Sequence, residues 1–277
     1  MKNGSDSKIV ELFKHANVSA KIIEVADSFK MKRGGQLSNL HIAYETWGDL
    51  NKDQSNVIVI FTGLSANSHV TSSESNQAPG WWETMVGDGK AIDTNKYYVI
   101  CINTLGSCFG STSPVSINKK TSQPYRLTFP ELTVEDMANA SRLLLKKIGI
   151  NKIHILVGPS LGGMKALAFS ILHNTVVDNM ILISTATQAL PFAIALRSLQ
   201  REVIRKDPLW SNGFYSYEKP PLNGVRIARK IGMTSYRSAN EWVQRFGRKK
   251  SVENKINQNT FGIENTSFEF EIESYLE

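Results

Sequence analysis

Ser160 stands in "HILVGPSLGGMKALAFS", residues 154 to 170, flanked two positions either side by Gly158 and Gly162 in the pattern G-x-S-x-G. An apolar, β-like segment leads into it and a helix of small residues leads out. That is the layout of a nucleophile elbow, which exposes a serine hydroxyl on a tight strand-to-helix turn. The glycines have a steric reason: around a strained serine, side chains two residues away collide, so none is present. Pro159 between them confines Gly158 to an extended geometry that a strand end already has. The backbone N–H groups that open the helix face a developing oxyanion, a type of donor worth roughly 100- to 1000-fold in rate. Leu161 supplies one. A second must come from a loop after an earlier strand, and "FTGLSANSHV" (61 to 70) offers Leu64 and Ser65.

The elements that would hold this turn are legible around it. "NVIVIF" (56 to 61), "YYVICIN" (97 to 103), "KIHILVG" (152 to 158) and "NMILIS" (179 to 184) are nearly continuous apolar runs, the pattern of parallel strands covered on both faces by helices. "NLHIAYETWG" (39 to 48) alternates instead, as an antiparallel strand near the sheet edge does. In "LTVEDMANASRLLLKKIGI", Thr133 with Asp136 reads as a capping box, and Met137, Ala140, Leu144 and Ile148 form an apolar helix face. Strand alternating with helix gives an α/β fold with a mostly parallel sheet, its ligand site beyond the carboxyl ends of the strands. From about residue 188 the pattern becomes helical and amphipathic without intervening strands. The expected organisation is a core over 1–187 and an incomplete helical cap over 188–277.

Composition narrows the field. The net charge of +7 is spread along the chain without a nucleic-acid recognition motif, so it reads as solvated surface that also favours an anionic substrate such as an acyl-coenzyme A. No stretch approaches the roughly 18 apolar residues of a membrane span, and the first residues lack a signal peptide's apolar run, so a cytoplasmic location is expected. Cys101 and Cys108 read as reduced thiols near a strand end. Neither a metal site nor a bound cofactor is expected, because the histidines do not pair with cysteines or carboxylates at ligand spacing.

At this level of detail the chain resembles the homoserine O-acyltransferases, a branch of the α/β-hydrolase fold. Seven ordered blocks carry the resemblance: "PGWWETMVGDGKAIDTNKYYVICINTLGSCFGSTSP", "PYRLTFPELTVEDM", "GPSLGGMKAL", "ALRSLQREVIRKDP", "ARKIGMTSYRS", "RFGR" and "FEIESYL". The wording of "GLSANSHV" and "ALPFAIALRSLQREVIRKDP" is most similar to members described as serine O-succinyltransferases. The resemblance implies that Ser160 takes a succinyl or acetyl group from an acyl-coenzyme A co-substrate and passes it to the hydroxyl of L-serine or L-homoserine, in cysteine or methionine biosynthesis. It further implies oxyanion N–H groups at Leu64 and Leu161, amino-acid carboxylate binding by Arg229 and, as a weaker candidate, Arg201, and a homodimer built on cap helices. Arginine suits carboxylate binding through its planar, always-charged fork.

The mechanism also needs a histidine base and a carboxylate to orient it. In the family both follow the cap, acid before base. Of the five histidines, His69 lies in the loop before the serine and reads as packing or lining. His154 lies within a strand, and His173 ends the elbow helix facing solvent. The triad aspartate and histidine are therefore expected outside this chain, which resembles a fragment ending within the cap and, alone, is expected to be inactive. An apolar sheet edge should be exposed. An ester hydrolase of the same fold, and a catalytically dead paralogue that binds without turnover, are the alternatives.

Overall fold

The computed structural model describes residues 19–216, 218–251 and 270–276. Residues 252–269 of the expected cap fall outside them, as does His15. The chain divides into two compact units, Met1–Gln188 and Ala189–Glu277.

In the first unit, six strands form one sheet: β1 (Lys21–Lys30), β2 (Gln36–Trp47), β3 (Val57–Phe61), β4 (Tyr98–Ile102), β5 (Ile153–Pro159) and β6 (Val177–Ile183). Their spatial order is β1-β2-β4-β3-β5-β6. β4, β3, β5 and β6 run parallel, while β2 is antiparallel to both β1 and β4. The segment around 39–48 is thus an antiparallel strand next to the sheet edge, as its alternation suggests. The edge is β1, "KIIEVADSFK", which no regular alternation announces because its ladder with β2 shifts register between Glu24 and Ala26.

Alternation along β3 sorts the core into two layers. Val57, Val59 and Phe61 join a cluster on one face with Ile100, Ile102, Leu144, Leu145 and Phe169. Ile58 and Ile60 join Trp47, Val99, Cys101 and Val157 on the other. The first face is covered by helices α1 (Val134–Lys147) and α2 (Leu161–Leu172). On the second, the covering layer among the described residues is the loop that carries Trp81 and Trp82, stacked with centroids 5.3 Å apart, and not a helix. Apolar strands therefore need cover on both faces, and a loop with two indoles supplies it as well as a helix. β6 departs further. Met180, Ile181 and Leu182 are 37%, 47% and 38% exposed, an apolar edge of the kind expected from the sequence.

Helix α1 starts at a capping box. Thr133 accepts from the Asp136 amide (3.2 Å) while the Asp136 carboxylate accepts from the Thr133 amide (2.9 Å) and also from the Lys32 amide (2.9 Å). Its buried face centres on Ala138, Ala140, Ser141, Leu144 and Leu145, with Met137 and Ile148 at its flanks. In the second unit, α3 (Pro191–Lys206) packs on α4 (Leu222–Thr234), followed by α5 (Ala239–Arg245) and α6 (Glu271–Leu276). A Cβ at Gly224 would lie 2.8 Å from the Ile204 Cα and the Val203 carbonyl, so α3 and α4 meet backbone to backbone there. The Asp207 carboxylate secures the contact by accepting from the Gly224 amide (2.7 Å).

Replacing Thr133 with alanine removes one half of the box and leaves Asp136 with fewer donors. Urea unfolding is expected to show a loss of about 1–2 kcal/mol, with an unchanged m-value.

Candidate functional site

Ser160 has φ 53° and ψ −119°, a left-handed conformation that a residue with a side chain adopts only when its surroundings impose it. Its backbone is bound from three sides. The Ser160 N–H donates to the Ile183 carbonyl at the end of β6 (2.9 Å), and its own carbonyl accepts from the Gly163 amide (3.0 Å) and the Thr185 hydroxyl (2.7 Å). The turn is therefore fixed by β6 and by the first turn of α2. Among the described residues the Ser160 hydroxyl itself forms no hydrogen bond.

Steric closeness holds the turn as firmly as these bonds do. A Cβ on Gly162 would lie 2.2 Å from the Phe61 carbonyl oxygen, and one on Gly158 2.5 Å from the Gly162 carbonyl. The helix thus begins against the end of β3, which brings the loop that starts at Thr62 alongside the serine. In that loop Leu64 is 68% exposed, while Leu161 stands at the first position of α2 and is half-buried. The first amides of a helix lack intrahelical acceptors and carry its positive dipole end, so a negative charge developing beside Ser160 is stabilised there.

Two sets of buried ionisable side chains involve the loop after β3 and helix α2. Glu45 on β2, 3% exposed, accepts from Ser19 Oγ (2.7 Å), Ser68 Oγ (3.0 Å) and His69 Nδ1 (3.0 Å). The other imidazole nitrogen of His69 faces the Ala78 carbonyl at 2.8 Å. Burial opposes a charge on the ring, but the bonds to Glu45 and Ala78 and the Glu45 charge outweigh it and raise the His69 pKa. With both nitrogens committed to these partners, His69 packs the loop as its sequence position suggests.

The second is Lys165, which the sequence reading passed over although a lysine inside "GMKALAFS" is a visible break in an apolar run. It has no exposed surface. Its Nζ donates to Thr104 Oγ1 (3.2 Å), lies 4.0 Å from the centre of the Phe61 ring, and Thr104 Oγ1 in turn is 3.0 Å from Thr62 Oγ1. A chain of polar groups therefore joins the elbow helix to the ends of β4 and β3. Burial pulls the Lys165 pKa down to about 7, against a smaller opposing effect of Cys101. Cys101 is itself buried, and desolvation raises its thiol pKa.

The remaining candidates are placed as follows. His154 stacks on Tyr97 (6.1 Å between centroids), a packed role. His173 does not face solvent freely: it is half-buried, its Nε2 lies 3.1 Å from Asn139 Oδ1, and its ring meets Phe169 edge-on at 5.0 Å. Burial, with Arg142 and Lys146 nearby, lowers its pKa. Cys108 is a free thiol, half-buried. Arg201 on α3 and Arg229 on α4 are exposed residues of the second unit.

The model of a family described as the alpha/beta hydrolase fold matches residues 56–272. The chain belongs to the α/β-hydrolase fold family. Among curated members of this fold, it is 50% identical over 249 residues to a protein named serine O-succinyltransferase from Xanthomonas oryzae pv. oryzae (strain MAFF 311018), an alignment that covers 90% of this chain and 61% of that protein. The chain thus spans about 61% of the length of that relative. Among solved α/β-hydrolase relatives, the homoserine O-acetyltransferase from Bacillus anthracis superposes with a TM-score of 0.78 at 29% identity, over 93% of this chain and 69% of that one. Esterase E22 superposes with a TM-score of 0.76 at 30% identity, over 93% and 71%. Among the described residues, no helix of this α/β-hydrolase chain is long and apolar enough to cross a membrane.

Lys165 yields a signed pH dependence. Its folded pKa of about 7 lies below the ordinary 10.5, so between these values the unfolded chain binds a proton that the folded chain does not. Stability therefore rises with pH across that window, and the penalty of the buried charge is full below it. Lys165→Met is expected to be more stable than the parent at pH 6, by a margin of order a few kcal/mol that shrinks by pH 9. Urea unfolding of both proteins at the two pH values checks this, and a margin independent of pH would refute it.

Proposed function

We propose that the protein is an acyl-coenzyme A-dependent O-acyltransferase that carries a succinyl or acetyl group to the hydroxyl of L-serine or L-homoserine. The observation that carries this reading is the Ser160 turn: a left-handed serine at the start of a helix, fixed by β6 and pressed against the end of β3. The names of the relatives, serine O-succinyltransferase and homoserine O-acetyltransferase, supply the donor and acceptor classes.

In this reading the Ser160 oxygen attacks the thioester carbonyl while its proton passes to a histidine. The tetrahedral oxyanion takes the N–H groups of Leu64 and Leu161, and the coenzyme thiol leaves with the proton. The acceptor hydroxyl then attacks the acyl-serine, restoring the Ser160 hydroxyl and releasing the O-acyl amino acid. His69 is an unsuitable base because its nitrogens are committed to Glu45 and Ala78. The family resemblance implies a base and its carboxylate after the cap. Arg229, with Arg201, holds the amino-acid carboxylate, and these small molecules are the protein's partners. Cytoplasmic cysteine or methionine biosynthesis is the setting in which such a reaction serves.

Ester hydrolysis is the second reading, favoured by the likeness to esterase E22. The two differ in what discharges the acyl-serine, an amino-acid hydroxyl or water. Transfer from succinyl- and acetyl-coenzyme A, measured with and without L-serine or L-homoserine on the polypeptide of the full reading frame, separates them. Thiol release that depends on the amino acid supports transfer; an equal rate without it, together with fast turnover of simple esters, supports hydrolysis. Ser160→Ala is expected to lower kcat at least 1000-fold. Arg229→Ala is expected to raise the KM for the amino acid about 10- to 100-fold while leaving the KM for the acyl donor unchanged, the effect of losing a charge-assisted bond of ~1.5–3 kcal/mol.

A further inference from the structure

A cavity of about 270 Å³ lies between β1, β2 and the long loop that follows β4. No residue of the elbow, 158 to 164, or of the loop 61 to 70 lines it. Its depths are rich in hydroxyls. Ser113 is 1% exposed, and its Oγ has no hydrogen-bond partner among the described residues. An unpaired buried hydroxyl is uncommon in a folded protein. Thr112 Oγ1 accepts from the His41 amide (2.8 Å) and Ser116 Oγ from the Ser113 amide (3.0 Å). Neither of these hydroxyls donates to a described residue, so both retain a hydrogen to give.

Three O–H donors without an acceptor therefore line one cavity, with the Lys119 ammonium among the lining groups and no carboxylate among them. Glu24 stands outside the lining, held by Asn39 (3.0 Å) and 3.6 Å from His41 Nε2. Ile22, Val115, Ile117 and Tyr125 contribute apolar wall, beside the polar Ser38, Asn39, His41 and Ser111. A complementary molecule brings acceptor oxygens and negative charge at one end and a hydrocarbon at the other. At ~30 Å³ per water-sized unit, the space holds roughly six to nine non-hydrogen atoms.

We propose that this cavity is a second binding site, separate from the elbow, for a short-chain aliphatic carboxylate. The carboxylate accepts from Ser113, Thr112 and Lys119, and the alkyl chain lies on Ile22, Val115 and Tyr125. The inference does not rest on acyl transfer and stands or falls by its own test.

Cys108 lines the same cavity and is half-buried, whereas Cys101 is fully buried, so the protein carries its own reporter. Alkylation of the native chain by iodoacetamide, followed by peptide mass analysis, should modify Cys108 well ahead of Cys101. At constant ionic strength, butanoate is expected to slow alkylation of Cys108 at least five-fold in a saturable manner, while butanamide gives less than two-fold protection. Ser113→Ala and Lys119→Ala should each weaken the butanoate protection at least five-fold, with the alkylation rate in its absence within two-fold of the parent. Absence of protection up to 20-fold the concentration of a weak millimolar binder (about 20 mM), or equal protection by butanamide, overturns the proposal. Should Cys108 alkylate too slowly to follow, line broadening of carboxyl-labelled butanoate by the parent and by Ser113→Ala decides. Broadening that is the same for both proteins overturns the proposal equally.

Discussion

The contact on which the candidate site depends is the one between the start of helix α2 and the end of β3, where Gly162 leaves no room for a side chain against the Phe61 carbonyl. That closeness aligns three things. It sets the first turn of the helix over the sheet, it forces the chain at Ser160 through a left-handed conformation, and it brings the loop beginning at Thr62 next to the serine. A bulkier residue at 162 would push the helix away and separate the amides of Leu161 and Leu64, the two donors of the proposed oxyanion site. Backbone strain at Ser160 persists because β6, through the Ile183 carbonyl and Thr185, holds the same residue from the other side.

Around this contact the protein uses buried polar groups where apolar packing would serve stability better. Glu45 and His69 form a buried ion pair that pins the loop after β3, and Lys165 reaches from the elbow helix to Thr104 beside Thr62. Buried charge is weak evidence of stability, since desolvation offsets much of the attraction. What both groups provide is a fixed geometry between loop, strand ends and helix. A positional requirement of this kind fits a site in which donors must meet a transition state to within a fraction of an ångström.

Much of this was legible in the sequence, for reasons that can be named. The parallel strands read as continuous apolar runs because both faces of β3, β4 and β5 are buried, and the box at Thr133 reads from two residues. Gly158, Ser160 and Gly162 read as an elbow because the steric rule behind them is local. β1 escaped because it is an edge strand with a bulge at Glu24 to Ala26, which erases alternation. The second layer was expected to be helical, and a periodic pattern cannot reveal that Trp81 and Trp82 within a loop complete it. His173 looked like a solvent-facing helix end because its partner, Asn139, is 34 residues earlier in the chain. Lys165 was visible as an anomaly, but its meaning lay in Thr104 and Phe61, which only the fold brings to it. The roles of Arg201 and Arg229 came from family resemblance alone and remain part of the proposal.

The central claim, that Ser160 is the residue that accepts the acyl group, is tested most directly by trapping the intermediate. The polypeptide of the full reading frame is mixed with succinyl-coenzyme A in the absence of amino acid, stopped in acid, digested and mapped by mass. The account predicts a succinyl ester on the peptide carrying Ser160, lost when L-serine or L-homoserine is added before the acid and absent from Ser160→Ala. A stable adduct on a different residue, or product formed by Ser160→Ala at the parent's rate, would contradict it.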